Sequence, residues 1–300
     1  MAYSNLICNY KTRLMPIIGY PMDHSNAAQV YNKLFEIYNI NKIMFPIEIK
    51  PEDLGDYVKA AKTLHIDMYT LTMPLKSAII PYLDEVDPCS RVFKSVNIVK
   101  TVDGKTVGAG MDGKGCVGAL INAGAKIEGS KAVLLGAGSI SGAIIYELIQ
   151  HHVSKVVLLN RTPAHAEDVA KIMKDNWDMD VEAGAATPEN LDNACQDADL
   201  FIQCSPLGMY GFHKDHDYLG FLEKLPKSAI VLDCPVNPEY TTLLLKAKDL
   251  GLTIVPGMYM MLSQMTEIYD FCFGLRPGDT EKAEARKVLV AYLDSLKKDH

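Results

Sequence analysis

Short apolar runs alternate along this chain with stretches of helical periodicity. Met15–Gly19 is an apolar run closed by glycine and reads as a buried strand. In His24–Asn39, Val30, Leu34 and Ile37/Tyr38 recur at helical spacing, which predicts one apolar helix face. Lys42–Ile49 reads as a strand, Pro51–Leu64 as a helix, and Asp67–Thr72 as a strand stopped by Pro74. Arg91–Lys100 and Thr106–Val107 flank Asp103-Gly104, a hairpin signal. A second unit begins near Gly115. Lys131–Leu135 is an apolar strand that enters Gly136-Ala137-Gly138 and then the helical run Ser141–Gln150. Lys155–Leu159 is the next strand. Thr162-Pro163 and Thr187-Pro188 each read as a helix N-cap followed by proline in the first turn. Leu200–Gln203, Ala229–Leu232 and Thr253–Val255 supply further strands, and the chain after Gly257 reads as mostly helical, interrupted at Gly274–Gly278. The alternation predicts an α/β fold on a largely parallel sheet, with a doubly wound second unit.

Composition narrows the function. The chain has 300 residues, 48% of them apolar and 22% charged, which suits a packed globular protein and excludes a disordered one. Thirty basic residues against 37 acidic ones give a net charge of -7, which argues against a general nucleic-acid or anionic-membrane binder. No apolar run reaches the length of a membrane span, and the first residues lack the apolar core of a secretory signal. Seven scattered cysteines without a C-x-x-C suggest reduced thiols and a cytoplasmic protein, with neither a disulfide framework nor structural zinc. The eight histidines include no H-E-x-x-H; His213-x-x-His216 beside Asp215 and Asp217 reads as a solvated loop rather than a metal site.

Chemistry enters at Gly136-Ala137-Gly138-Ser139-Ile140-Ser141, between a predicted strand and a predicted helix. The first glycine permits a tight turn, the second lets the backbone approach a pyrophosphate, and the helix N-terminus offers free N–H groups to that anion. The second strand of the unit ends in Asn160-Arg161-Thr162, where an NAD site usually carries a carboxylate for the ribose 2′-hydroxyl. A guanidinium there favours a 2′-phosphate, so NADP is the expected cofactor and NAD the alternative.

At this point the chain resembles the shikimate/quinate dehydrogenase family. The resemblance rests on Gly19-Tyr20-Pro21 with His24-Ser25, the block Thr70 to Lys76, Ser95-Val96-Asn97, and Gly108 to Gly113. It continues through Gly136-Ala137-Gly138, Asn160-Arg161-Thr162, Ser205-Pro206-Leu207-Gly208-Met209, Asp233 with Pro238 and Thr241, and Gly257 with Gln264. The order of these blocks implies a discontinuous α/β substrate domain, residues 1–114 and 258–300, around a Rossmann-like dinucleotide-binding domain, residues 115–257. It implies reversible hydride transfer between NADP and a ring hydroxyl of a shikimate-like cyclic acid, with 3-dehydroshikimate/shikimate leading and quinate or an aminated analogue as alternatives. Lys76 and Asp112 are the implied catalytic pair; Thr72, Asn97 and Gln264 match positions that bond ring hydroxyls, and Ser25 one that holds the carboxylate, unless Ser25 caps the following helix. Gly136, Ala137, Gly138, Ser139, Ile140, Asn160, Arg161, Thr162, Ser205, Met209 and Gly257 are the implied cofactor contacts. The expected partner is a small ring acid, and the expected assembly a monomer or homodimer.

The chain departs from the family pattern in the ring clamp. Ala27 stands where the family has a second carboxylate-binding hydroxyl, Thr70 where it has asparagine, Gly110-Met111 where it has Asn-Thr, and Val236 where it has tyrosine. Tyr259 stands where the family has glycine, which makes its hydroxyl a candidate substrate contact, and His165 replaces a basic residue beyond Arg161. A non-catalytic ligand sensor would explain the altered clamp but not the retained Lys76 and Asp112. A methylene-folate or amino-acid dehydrogenase would need a pterin or ammonium pocket for which there is no motif. His24 reads as a turn-holding residue, Met258, Met260 and Met261 as packing, and Trp177 as helix packing.

Overall fold

The computed structural model describes residues 8–22 and 25–296. His24 therefore lies outside the described residues. The chain divides into two compact units, one formed by Met1–Met111 with Met265–His300, the other by Asp112–Gln264. The sequence reading placed the changes of unit at 114/115 and 257/258.

In the first unit, β1 (Arg13–Leu14) and β3 (Lys42–Ile43) form a small parallel pair. The main sheet contains β2 (Ile17–Gly19), β4 (Pro46–Glu48), β5 (Met68–Leu71), β6 (Glu85–Val86), β7 (Ile98–Val102) and β8 (Lys105–Ala109), in the order β4-β2-β5-β7-β8-β6. The sheet is mixed. β5 and β8 both run antiparallel to β7, which corrects the parallel expectation for this unit. Between β7 and β8 the reversal comes from Asp103-Gly104, the hairpin signal read from the sequence: both adopt positive φ, so the chain turns back in a tight hairpin instead of crossing over. The helices are α1 (Ala27–Ile37), α2 (Leu54–Thr63), α3 (Leu75–Ala78) and α4 (Pro88–Phe93). The strand predicted from Arg91 is thus wrong at its start. Asp87 caps α4 by accepting from the Ser90 amide at 3.0 Å, and Pro88 occupies the first turn. One face of the sheet buries Ile18, Tyr69, Leu71 and Val99 with Leu54 and Val58 of α2. Because strand side chains alternate, Thr70 and Thr72 face the other way.

In the second unit, α5 (Asp112–Asn122) leads to β9 (Lys131–Leu135), α6 (Ser141–Gln150), β10 (Lys155–Asn160), α7 (Pro163–Trp177), β11 (Glu182–Ala185), α8 (Pro188–Cys195), β12 (Leu200–Gln203), β13 (Ile230–Asp233), α9 (Thr242–Asp249) and β14 (Thr253–Pro256). The sheet order is β11-β10-β9-β12-β13-β14, and every pairing is parallel. This is the doubly wound topology, whose strand order reverses between β9 and β12. Its central strands are buried, including all of Leu200–Gln203 and Ile230–Asp233, which is why they read as continuous apolar runs, whereas the edge strand β11 is not. Thr187 caps α8 as predicted. Thr162 precedes α7 as predicted, but its hydroxyl makes no capping bond.

The chain continues into α10 (Gly257–Phe273), which spans the change of unit, and α11 (Asp279–Leu296). Tyr269 explains how the C-terminal segment joins the first unit. Its ring packs against Tyr31, Phe35 and Phe273, and its hydroxyl donates to the Tyr31 carbonyl at 3.0 Å.

Candidate active site

The turn after β9 is built for close approach. Gly136 has φ +105°, a conformation that glycine alone adopts readily, and a Cβ there would lie 2.9 Å from the Ser205 amide nitrogen. Asn160, at the end of β10, braces the turn. Its side-chain oxygen accepts from the Ala137 amide at 3.1 Å, and its side-chain amide donates to the Thr162 carbonyl at 2.8 Å. Asn160 thus orders this loop through its own hydrogen bonds, a role its position in sequence does not reveal. Gly138 and Ser139 are exposed at the mouth of the turn, and so are Arg161 and Thr162. Ile140 precedes α6 without capping it. Ser141, at the third glycine position of the fingerprint, is fully buried and donates to the Gly138 carbonyl at 2.8 Å. After β12, the Gln203 side-chain oxygen accepts from the Ser205 amide, and the Ser205 hydroxyl accepts from the Leu207 amide at 3.4 Å. Met209 is half-buried in the same loop. Gly257 opens α10 where a Cβ would collide with the Cys234 and Pro235 carbonyls.

Asp112 is the first residue of α5 and is 6% exposed. The Gln264 side-chain amide donates to its carboxylate at 2.5 Å. Two glycines permit this geometry. A Cβ at Gly115 would strike Gln264 and Met260, and one at Gly113 would strike the Ala143 carbonyl of α6. A buried carboxylate thus sits at a helix N-terminus, held by an amide from a segment distant in sequence. Tyr259, also on α10, is 43% exposed. Met258 and Met260 are buried, as their packing reading expected.

In the first unit, Lys76 lies half-buried on α3, where its carbonyl accepts from the Val96 amide. Asn97 is 5% exposed, and its side-chain oxygen accepts from the Met111 amide at 3.0 Å, immediately before Asp112 in the chain. The Thr72 methyl packs against Gly19, which has no room for a Cβ. Ser25 does not cap α1: the N-cap is Asn26, without a side-chain bond, and the buried Ser25 hydroxyl has no partner among the described residues. The hydroxyl of Thr70 shares that condition at 4% exposure. Burial is invisible in composition, so nothing in the sequence marked Thr70 beyond its being a departure.

Burial shifts two further groups, Asp233 and His216. Asp233, at the end of β13, accepts from the Thr241 hydroxyl at 2.5 Å. Burial, with the Asp215 charge adding to it, pushes its carboxyl up to about 7 against that bond. Burial also lowers the His216 imidazole against the opposing charges of Asp215 and Asp217. Asp215 itself accepts from the Thr242 hydroxyl at 2.6 Å and from the His216 amide at 2.8 Å. Among the described residues, no group of three His, Cys, Asp or Glu side chains is arranged to hold a metal ion.

Residues 17–99 match the shikimate dehydrogenase substrate binding domain, and residues 118–216 match shikimate/quinate 5-dehydrogenase. An NADP+ shikimate dehydrogenase of Alkaliphilus metalliredigens is 33% identical over 254 residues, 84% of this chain and 88% of the relative. A crystallised shikimate dehydrogenase in complex with NADP+ superposes with a TM-score of 0.86 at 27% identity, covering 96% of this chain and 98% of that one. A 5-ketofructose reductase of Gluconobacter, at 23% identity and a TM-score of 0.84 over 95% of this chain and 100% of its own, shares the fold.

Proposed function

The chain belongs to the shikimate dehydrogenase family, oxidoreductases that act on a CH–OH group with NADP, and we propose that its own reaction is reversible hydride transfer at a ring hydroxyl of a shikimate-like cyclic acid, with shikimate and 3-dehydroshikimate as the leading pair. The observation that carries this reading is the buried Asp112 carboxylate, fixed by Gln264 in the same unit as a glycine turn that fits a dinucleotide.

The turn Gly136–Ile140 would hold the pyrophosphate, where Gly136 leaves no side chain in the way, and the exposed Arg161 would pair with a 2′-phosphate. Thr162, Ser205, Met209 and Gly257 complete the proposed cofactor contacts. The nicotinamide ring supplies the hydride acceptor or donor when bound. The remaining chemistry belongs to the chain. Oxidising a carbinol requires that its hydroxyl proton leave, and Lys76 and Asp112 are the proposed pair that takes the proton and steadies the developing alkoxide. The amide from Gln264 holds the Asp112 carboxylate in one orientation. Thr72, Asn97 and Gln264 are the proposed partners of ring hydroxyls, since neutral amides and hydroxyls bond such groups without burying charge. Ser25 is the proposed carboxylate contact, and its unpartnered hydroxyl supports that. Tyr259 is proposed to replace a missing clamp hydroxyl, with its exposed position on α10 leaving the ring accessible.

The test is turnover of nicotinamide with NADP+ and NAD+ against shikimate, quinate and an aminated analogue. We expect turnover with NADP+ and a loss of about 10²–10⁴-fold in kcat for Lys76→Ala. Turnover at the full rate in that variant would remove Lys76 from the mechanism, and binding of a ring acid without turnover under any pairing would favour a sensor.

A further inference from the structure

We infer that Thr70, where the family pattern has asparagine, is a specificity-determining residue whose hydroxyl bonds an oxygen of the ring substrate. This rests on the functional reading above. Three observations converge on it, all within the first unit. Thr70 is 4% exposed, and its hydroxyl has no hydrogen-bond partner among the described residues. A buried hydroxyl left unpaired is costly, so a native site that keeps one has a use for it. The Thr70 side chain lies on the face of the sheet shared by its register partners Ile17 and Ile98, both buried, so the hydroxyl is set among apolar neighbours. Tyr69 and Leu71 enter the core beneath α2, so Thr70 lies on the opposite face of β5, and the alternation carries Thr72, one residue beyond the strand, to the same side. Finally, the neighbouring strand leads to a second hydroxyl in the same condition. Thr70 pairs with Ile17 of β2, and β2 ends at Gly19, against which both the Thr72 methyl and the Met22 sulfur pack. The Met22 carbonyl then accepts from the Ser25 amide at 3.0 Å, and the Ser25 hydroxyl is buried and also lacks a partner among the described residues. Thr70, Thr72 and Ser25 therefore supply hydroxyls around one end of β2 and β5. Ala27, on the first turn of α1, supplies none. The hydroxyl missing at Ala27 is made up from the strand, by Thr70.

A buried threonine is also a near-isostere of valine in a sheet, and the two roles predict opposite outcomes. Thr70→Val removes only the hydroxyl. If that hydroxyl bonds substrate, KM for the ring acid rises about tenfold or more with kcat within about threefold, while the unfolding midpoint stays level or rises because an unpaired buried group has gone. Thr70→Ser, which keeps the hydroxyl, should hold KM within a few-fold. An unchanged KM in Thr70→Val for every ring acid the wild type turns over would overturn the assignment and leave the dehydrogenase reading standing. A lowered midpoint with unchanged KM would do the same, by showing that the hydroxyl serves the fold. Absence of turnover by the wild type with every ring acid and both nucleotides would overturn the dehydrogenase reading and this inference with it.

Discussion

A carboxylate that is 6% exposed and accepts a 2.5 Å bond from an amide is constrained more tightly than its neutral analogue would be. Asp112→Asn keeps the shape of the side chain but removes its charge and turns one acceptor oxygen into a donor, which then faces the Gln264 amide. The expected result is a loss of about 10²–10⁴-fold in kcat with KM for NADP+ nearly unchanged, read by steady-state kinetics. A variant retaining most of the wild-type kcat would show that the carboxylate is a helix-terminus fixture only. Residue identities at this scale were legible, since Lys76, Asp112, Gln264 and the glycines could be picked out from their blocks. Their partners were not. Asn160 braces the Ala137 amide, and Asn97 holds the Met111 amide. Both bonds join segments far apart in sequence, and no local pattern encodes a partner that only folding brings near.

Elements were most legible where burial is complete. Ser141–Gln150 and Leu200–Gln203 have the predicted bounds, because an apolar run or stripe leaves little freedom to an element's edges. Reading failed where two signals competed. The β-branched and apolar residues around Val92 and Val96 suggested a strand, yet Asp87 and Pro88 form a helix start, and the cap won for α4. The glycine turn after β9 leaves no room for a side chain at Gly136. Gly136→Ala forces a Cβ onto a residue at φ +105° and to 2.9 Å from the Ser205 amide nitrogen. Relief requires the β9–α6 turn and the loop after β12 to move apart. The variant should lose about 1–3 kcal/mol of stability, and its NADP+ dissociation constant should rise by about tenfold or more. Denaturant unfolding and nucleotide titration read the two effects separately. Unchanged nucleotide affinity would place the dinucleotide elsewhere.

At the scale of the molecule, the pattern of alternating elements conveyed two α/β units and the hairpin of the first, but not that β5 would also run antiparallel to β7. The hairpin at Asp103-Gly104 makes the first sheet mixed, while crossover helices keep every pairing of the second parallel. The buried centre of the parallel sheet makes stability depend on pH. Asp233 terminates β13, and burial raises its carboxyl from 3.8 to about 7. The folded chain therefore holds a proton that the unfolded chain releases. The stability this group contributes is fully present below about pH 4 and is lost as pH rises toward 7. His216 acts in the opposite direction: burial favours its neutral form, so its contribution is present above 6.5 and is lost as pH falls below that. Around pH 6.5 to 7 the two contributions oppose each other, that of Asp233 falling and that of His216 rising with pH. Asp233→Asn removes this linkage while keeping an acceptor for the Thr241 hydroxyl. Between pH 4 and 7, wild-type stability measured against that variant should therefore decline by up to about 1.4 kcal/mol per pH unit, read from denaturant midpoints at several pH values. A difference between the two proteins that stays flat across that range would mean that Asp233 is ionised in the folded chain, and the buried end of β13 would then have to be holding a full negative charge.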